Sequence, residues 1–346
     1  MKFIRLFFAS ALAACLTYYA CVLLLIRVPL PAEYWVGEMI TIKKALATRY
    51  EGKNKIIVAG GSSTLFGVDT EYVSKKLAMP VINFGLHAGL KLEKILGEAG
   101  EVTESNDVVI LLLEPAYFDC HEKPTSWQVE NMIAWDHAAW AQMDYAGKAK
   151  FIMLVSPTTF IQMVRAGFDE IFFPAVTFPR LSSLDDARVL SRFVGRTRPS
   201  TFEYSAYHLN DHGDMRKTEG ARVTGAVRDA NRPNQICART ATVLMDFVAK
   251  MKSRGVSVYF ANIPYIVSGM VPAERKLEIR NNEIRFKTEL MPIGCLIDQR
   301  ENLLFDRKYF FDTSFHLNAE GRSIRSALLV DAIRRNVLSG TCHAAL

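Results

Sequence analysis

The sequence predicts an α/β fold: a three-layer α/β/α sandwich on a parallel sheet, with an N-terminal transmembrane helix and a helical insertion. Three observations predict it. Short β-branched runs at 55–59, 80–84 and 107–113 alternate with helix-compatible stretches, which gives βαβαβ, the order of a parallel sheet with right-handed crossovers. The third run, Asp107-Val-Val-Ile-Leu-Leu-Leu113, is continuously apolar, as befits a strand buried on both faces. The same rhythm stops near residue 114 and resumes near residue 236.

The first element is the uncharged run of 21 residues from Leu6 to Ile26. At about 1.5 Å per residue it reaches about 30 Å, the thickness of a bilayer's hydrocarbon core. Lys2 and Arg5 precede it, and Arg27 alone follows closely before Glu33 and Glu38, a bias that leaves the N-terminus in the cytoplasm and the rest outside. Ala9-Ser-Ala11 or Ala11-Leu-Ala13 would suit a cleaved signal peptide, and Leu12-Ala-Ala-Cys15 a lipoprotein box. The uncleaved anchor is the reading adopted, as residues 1–28, because cleavage at the box would leave Leu16 to Ile26 as an apolar beginning.

A juxtamembrane segment, 29–52, carries a helix from Glu38 to Tyr50. The remaining domain, 53–346, begins with the first strand, which breaks into Gly60-Gly61-Ser62-Ser63 before a helix from Asp69 to Ala78. The second strand ends in Gly85-Leu-His-Ala-Gly89 and leads to a helix from Lys91 to Val102. Residues 115–235 are too long for a loop and read as a mainly helical insertion. Its apolar part, Ile171 to Phe178, either packs against the sheet domain or faces the membrane or a membrane partner. The alternation then returns with a helix from Ala238 to Arg254, a strand from Val256 to Asn262, a helix from Ala273 to Leu290, a strand near Cys295 and a last helix from Ala319 to Asn336.

Composition narrows the function. Hydrophobic residues make up 50% of the chain, ample for a core, and the net charge of +6 forms no basic tract with interleaved aromatics, which argues against nucleic acid. Cys15 and Cys21 fall in the apolar run; Cys120, Cys237, Cys295 and Cys342 are an even set that allows three disulfide pairings. No Cys/His spacing suggests zinc, and no cofactor is expected.

Two stretches carry chemistry. A strand–turn–helix with serines at the turn presents a hydroxyl above the carboxyl edge of a sheet, near a helix N-terminus that favours developing negative charge. Far along the chain, Phe310-Phe-Asp-Thr-Ser-Phe-His316 supplies Asp312 and His316 just before a helix. Acyl transfer through a serine needs such a base and a carboxylate to orient it. Asp306 is the substitute acid if the loop runs differently. His87, Asn262 and the polar loop with His208, Asp211, His212 and Asp214 read first as structural.

These residues resemble the SGNH (GDSL-like) hydrolase family. Gly61-Ser62-Ser63 followed by Gly67 fits its first block, with Ser63 as nucleophile and Ser62 in the place of an acid. Asn83 to Gly89 is similar to the second block, which implies Asn83 and the N–H of Ala88 or Gly89 as oxyanion or substrate contacts. Asp312 lies four residues before His316, where the family has three. In the third block the usual Gly-x-Asn-Asp is replaced by Glu114-Pro-Ala-Tyr-Phe118, so Glu114 stands where an oxyanion-binding turn is expected, either in a structural hydrogen bond or orienting substrate. With the anchor and the insertion, this departure resembles the membrane-anchored branch that includes alginate-acetylation and teichoic-acid D-alanyl transfer proteins. The resemblance implies serine-dependent acyl transfer, acetyl above all, or ester hydrolysis on an exported or cell-surface polysaccharide. The setting it implies is the periplasmic side of a bacterial inner membrane, beside a membrane-bound O-acyltransferase. The alternative is an inactive scaffold or glycan-binding accessory of the same fold.

Overall fold

Apolar β-branched residues with both faces covered form the main sheet of the computed structural model, which describes residues 2–28, 30, 32–119, 124–173, 185–223, 235–267, 273–298 and 303–342. In chain order the elements are α1 (Lys2–Leu25), α2 (Tyr34–Thr48), β1 (Ile56–Gly60), α3 (Ser62–Gly67), α4 (Thr70–Leu77), β2 (Val81–Gly85), α5 (Leu92–Glu101), β3 (Val108–Leu112), α6 (Ser126–Ala134), α7 (His137–Gln142), α8 (Tyr145–Leu154), α9 (Pro157–Phe172) and α10 (Asp186–Val194). They continue with α11 (Ala238–Ser253), β4 (Ser257–Ala261), β5 (Tyr265–Val267), α12 (Ala273–Leu290), β6 (Cys295–Leu296), β7 (Leu304–Asp306) and α13 (Ala319–Ala332), which ends in a π-helical turn, Ile333–Leu338.

The main sheet runs β2-β1-β3-β4-β6 with every pair parallel, and helices flank it, the α/β architecture expected. All five residues of β1 and of β2 are buried, which explains why neither alternates apolar with polar. Gly60 aligns with Gly85 and with Leu112, so three strands end level and deliver their next residues to one edge. The chain leaves β1 for β2 on one side and returns as β3 on the other. The carboxyl ends of β1 and β3 therefore border the switch point of the sheet, where open α/β folds place ligands. A pair absent from the sequence reading, β5 with β7, adds three parallel residues on each strand.

The chain divides into two compact units, Met1–Glu38 with Glu122–Ser191, and Met39–His121 with Arg192–Leu346. This corrects the boundaries read from sequence. The stretch 115–235 is not one insertion: Glu122–Ser191 joins the N-terminal helix, and the chain from Arg192 belongs with the sheet. The juxtamembrane helix, α2, is itself divided between the units. Periodicity shows that a stretch is helical but not what it packs on.

The first unit has its own core of Val22, Leu30, Val129, Ile133, Phe151 and Met163. Its α1 is long and apolar enough to cross a membrane, with a mean hydropathy of 2.0 over its best window. In the sheet unit, Cys295 and Cys342 form a disulfide that closes 47 residues of sequence, worth about 4 kcal/mol in chain-entropy terms. Cys237 is also disulfide-bonded, whereas Cys15 and Cys21 are free thiols.

Candidate active site

The Gly60-Gly61 pair is there for close approach. A Cβ on Gly60 would strike the Leu112 carbonyl of β3, and one on Gly61 would come within 2.5 Å of both Glu114 carboxylate oxygens. The chain then turns directly into α3, which the sequence reading had taken as a bare turn; Val68, extended, separates it from α4. Thr64 ties α3 to β3 by donating its hydroxyl to the Leu112 carbonyl at 2.8 Å. Ser63 sits in the first turn of α3 and is 2% exposed, with no hydrogen-bond partner for its Oγ.

His316 arrives from the opposite end of the chain. Its ring stacks on Phe66 of α3, with centroids 4.1 Å apart and planes 6° from parallel. Phe66 is three residues beyond Ser63, hence on the same helix face. His316 Nδ1 lies 2.8 Å from Asp312 Oδ1, and the Tyr204 hydroxyl donates to Asp312 Oδ2 at 2.5 Å. Burial acts to raise the Asp312 pKa, but the hydrogen bonds from His316 and Tyr204 outweigh it and hold the carboxyl below its ordinary value. An ionised Asp312 fixes the proton on Nδ1 and leaves Nε2 as the acceptor, the tautomer a general base needs.

The extra residue between Asp312 and His316 is absorbed locally. Thr313 Oγ1 accepts the backbone N–H groups of Phe315 and His316, at 3.2 and 3.1 Å, while the Phe311 N–H donates to the His316 carbonyl at 2.7 Å. Asp306, the substitute acid, instead accepts the Lys308 N–H at 2.9 Å and caps a short helical turn.

The oxyanion side differs from expectation. Glu114, released from the end of β3, is 4% exposed and lies across the start of α3. The Ser63 N–H donates to its Oε1 at 2.7 Å and the Gly61 N–H to its Oε2 at 3.2 Å. Burial pushes the Glu114 carboxyl above its ordinary value, against the opposing pull of backbone N–H groups, that of Ser63 first, and of His316. Among the described residues it forms no ion pair. Glu114 thus occupies the backbone N–H of Ser63 itself.

The other expected contacts are engaged within the fold. The Gly89 N–H donates to His87 Nδ1 at 3.0 Å, and the exposed Ala88 offers its carbonyl to the Tyr117 hydroxyl at 3.0 Å. Asn83 is fully buried: its amide donates to the Thr64 carbonyl and Asp214 Oδ1, both at 3.1 Å, while its Oδ1 accepts the Gly85 N–H at 2.9 Å. It is a strut beneath α3 rather than a substrate contact. Asn262, likewise fully buried, donates to Glu283 at 3.0 Å and to Asp298 at 3.1 Å.

In the polar loop Asp214 is fully buried and accepts the Thr70 hydroxyl at 2.8 Å. A neighbouring cavity of about 700 Å³ is lined by His208, Asp211, His212, Arg216 and Arg322 among others, but by neither Ser63 nor His316.

Tyr204 and Phe66 escaped the sequence reading. Phe66 carried a usable signal, since it lies one turn after the serine, whereas Tyr204 comes from a stretch without strand–helix rhythm. Among the described residues no cluster of His, Cys, Asp and Glu is arranged to hold a metal ion. No protein-family model matches this chain, and no curated protein does.

Proposed function

We propose that this chain is a membrane-anchored serine acyltransferase or esterase of SGNH type, acting outside the cytoplasm on a cell-surface or exported polysaccharide beside a membrane-bound O-acyltransferase. One observation carries the reading: an Asp312–His316 pair, completed by Tyr204, is stacked on the helix turn that presents an unpartnered Ser63 hydroxyl. The apolar α1 and the Cys295–Cys342 disulfide support an anchored, extracytoplasmic setting. The nature of the acceptor and the partner rest on the sequence resemblance.

In this mechanism Ser63 Oγ bonds to the acyl carbonyl carbon while its proton passes to His316 Nε2. Asp312 holds the ring and stabilises the imidazolium. Collapse expels the donor alcohol, which takes that proton, and leaves an acyl-Ser63 ester. An acceptor hydroxyl, or water, then gives its proton to His316 and attacks the ester, restoring the serine. The carbonyl oxygen needs the Ser63 N–H, so Glu114 must let go of it before the first step. Such a donor is worth about 3 kcal/mol in comparable sites.

A second reading is favoured by that same carboxylate. With its oxyanion donor held by Glu114, the chain could serve as an inactive scaffold or glycan-binding accessory. Full-length protein in detergent, treated with a fluorophosphonate probe, decides between them. Labelling that maps to Ser63 and disappears in Ser63→Ala and His316→Ala supports catalysis. No Ser63-dependent adduct with this probe or any activated ester leaves the scaffold.

A further inference from the structure

The α8–α9 hairpin carries an apolar surface that the serine site does not use. One face of α9 points into the core of its unit through Thr159, Met163, Ala166 and Gly167. A second face bears Ile161, Val164, Phe168, Ile171 and Phe172, between 46% and 73% exposed. Their spacing of three, four, three and one residues confines them to one arc of the helix, about 100° wide. Arg165 and Asp169 lie at the polar margin of that arc, paired with each other at 3.8 Å.

This surface adjoins the exposed apolar surface of α1. The Tyr18 and Phe160 rings are 5.0 Å apart. A Cβ on Gly167 would come within 2.7 Å of Leu25 Cδ2, so the glycine allows α9 to lie close against α1. From Tyr18 to Leu25 and from Phe160 to Gly167 is seven residues on each helix, so α9 runs alongside the second half of α1 in the same direction. Along that half, Leu16, Leu23 and Leu24 of α1 are also exposed.

The bend between the helices is built for a dry environment. α8 and α9 meet at 98°, with Pro157 opening α9, and together they are apolar enough to count as a broken span. A break in a helix strands the last carbonyls of its first half, a serious cost where no water can reach them. Here the Tyr18 hydroxyl of α1 donates to the carbonyls of Val155 and Ile152, at 3.0 and 3.3 Å. The Ser156 side chain caps the start of α9 by accepting the Thr159 N–H at 3.0 Å.

We propose that the α8–α9 hairpin is a second membrane-embedded element: it sits in the leaflet that holds the C-terminal half of α1, with the arc from Ile161 to Phe172 against acyl chains. The occupant of this face is lipid, because the face adjoins that of α1 and the Ile152 and Val155 carbonyls at the bend are satisfied without water. The chain is then held by a helix and a hairpin, not by a single tether.

The test uses the unmodified full-length protein in vesicles of phosphatidylethanolamine and phosphatidylglycerol, with a carbene-generating diazirine on the acyl chain and adducts mapped by mass spectrometry. Residues 161–172 are expected to label as heavily as 12–24 of α1, and about tenfold above Met245 and Leu277, exposed apolar residues of the sheet unit. Labelling of α1 with 161–172 at the level of those two controls overturns the inference and assigns the arc to water or a protein partner. Absence of label from α1 as well removes the anchor itself, and the hairpin's place in the bilayer with it.

Discussion

Two polar clusters lie buried at the carboxyl edge of the sheet, on either side of α3, and they differ in how completely they are satisfied. Behind the helix, Asn83, Asp214, Thr70 and Lys43 bond to one another and to nearby carbonyls. Lys43 Nζ, for example, donates to the Asn83 and Gly213 carbonyls at 2.7 and 2.8 Å. In front, Ser63 Oγ has no partner, and Glu114 is held by backbone N–H groups that the proposed chemistry needs. A network with every group matched rigidifies a fold, whereas a buried hydroxyl left unmatched costs stability and calls for another reason to be there. The comparison separates scaffold from site more sharply than residue type does, since an aspartate occurs on both sides, Asp214 behind and Asp312 in front.

If the division is right, changes in front should alter reactivity and changes behind should alter stability. The largest effect is expected from Asp312→Asn, with turnover or probe labelling down by about 10⁴-fold at an unchanged melting temperature, because an amide can hold the ring in the wrong tautomer and cannot stabilise its cation. Asp306→Asn, assayed in parallel, should stay near the parent. Equal losses in the two variants would remove Asp312 from its special place.

Next in size, Asn83→Ala should destabilise the protein by about 3 kcal/mol, since it leaves the Gly85 N–H, the Thr64 carbonyl and Asp214 short of partners inside the fold. Urea unfolding in detergent measures it. A loss of labelling in Asn83→Ala without loss of stability would move that residue into the site.

Glu114→Gln tests the front cluster from the other direction. The amide keeps the size but gives up the charge-assisted hold on the Ser63 and Gly61 N–H groups, so Ser63 labelling should rise by about tenfold. A rate equal to or below that of the parent, at equal stability, would mean that the carboxylate does not restrain the reaction.

The last effect is gradual, a slope with pH. Burial lowers the Lys43 pKa from 10.5 to about 7, with Asp214 pulling the other way. Between those values the unfolded chain holds a proton that the folded chain releases, so this group makes stability rise with pH across that window, by at most about 1.4 kcal/mol per unit. Below about pH 7 both forms are protonated and the contribution is fully lost. Comparing urea midpoints at either end of the window, the parent should gain more than Lys43→Met; equal gains would contradict the assignment.

What the sequence determined by itself is local or periodic. The apolar runs marked β1, β2, β3 and β4, since continuous β-branched stretches have few other uses in a soluble layer. The 21-residue uncharged run marked α1, and the sequence singled out Ser63, Asp312 and His316, which the fold gathers around α3. Tertiary structure decided what depends on which surfaces meet. It split the stretch 115–235 between two units, because helical spacing is the same whatever the helix packs on. It brought Tyr204 to Asp312 across 108 residues and stacked Phe66 on His316, contacts that no spacing encodes. It turned Asn83 away from the site and Glu114 into it, because a buried polar side chain goes where unsatisfied donors and acceptors are. Those come from the backbone of neighbouring strands and helices, and exist only once the chain has folded.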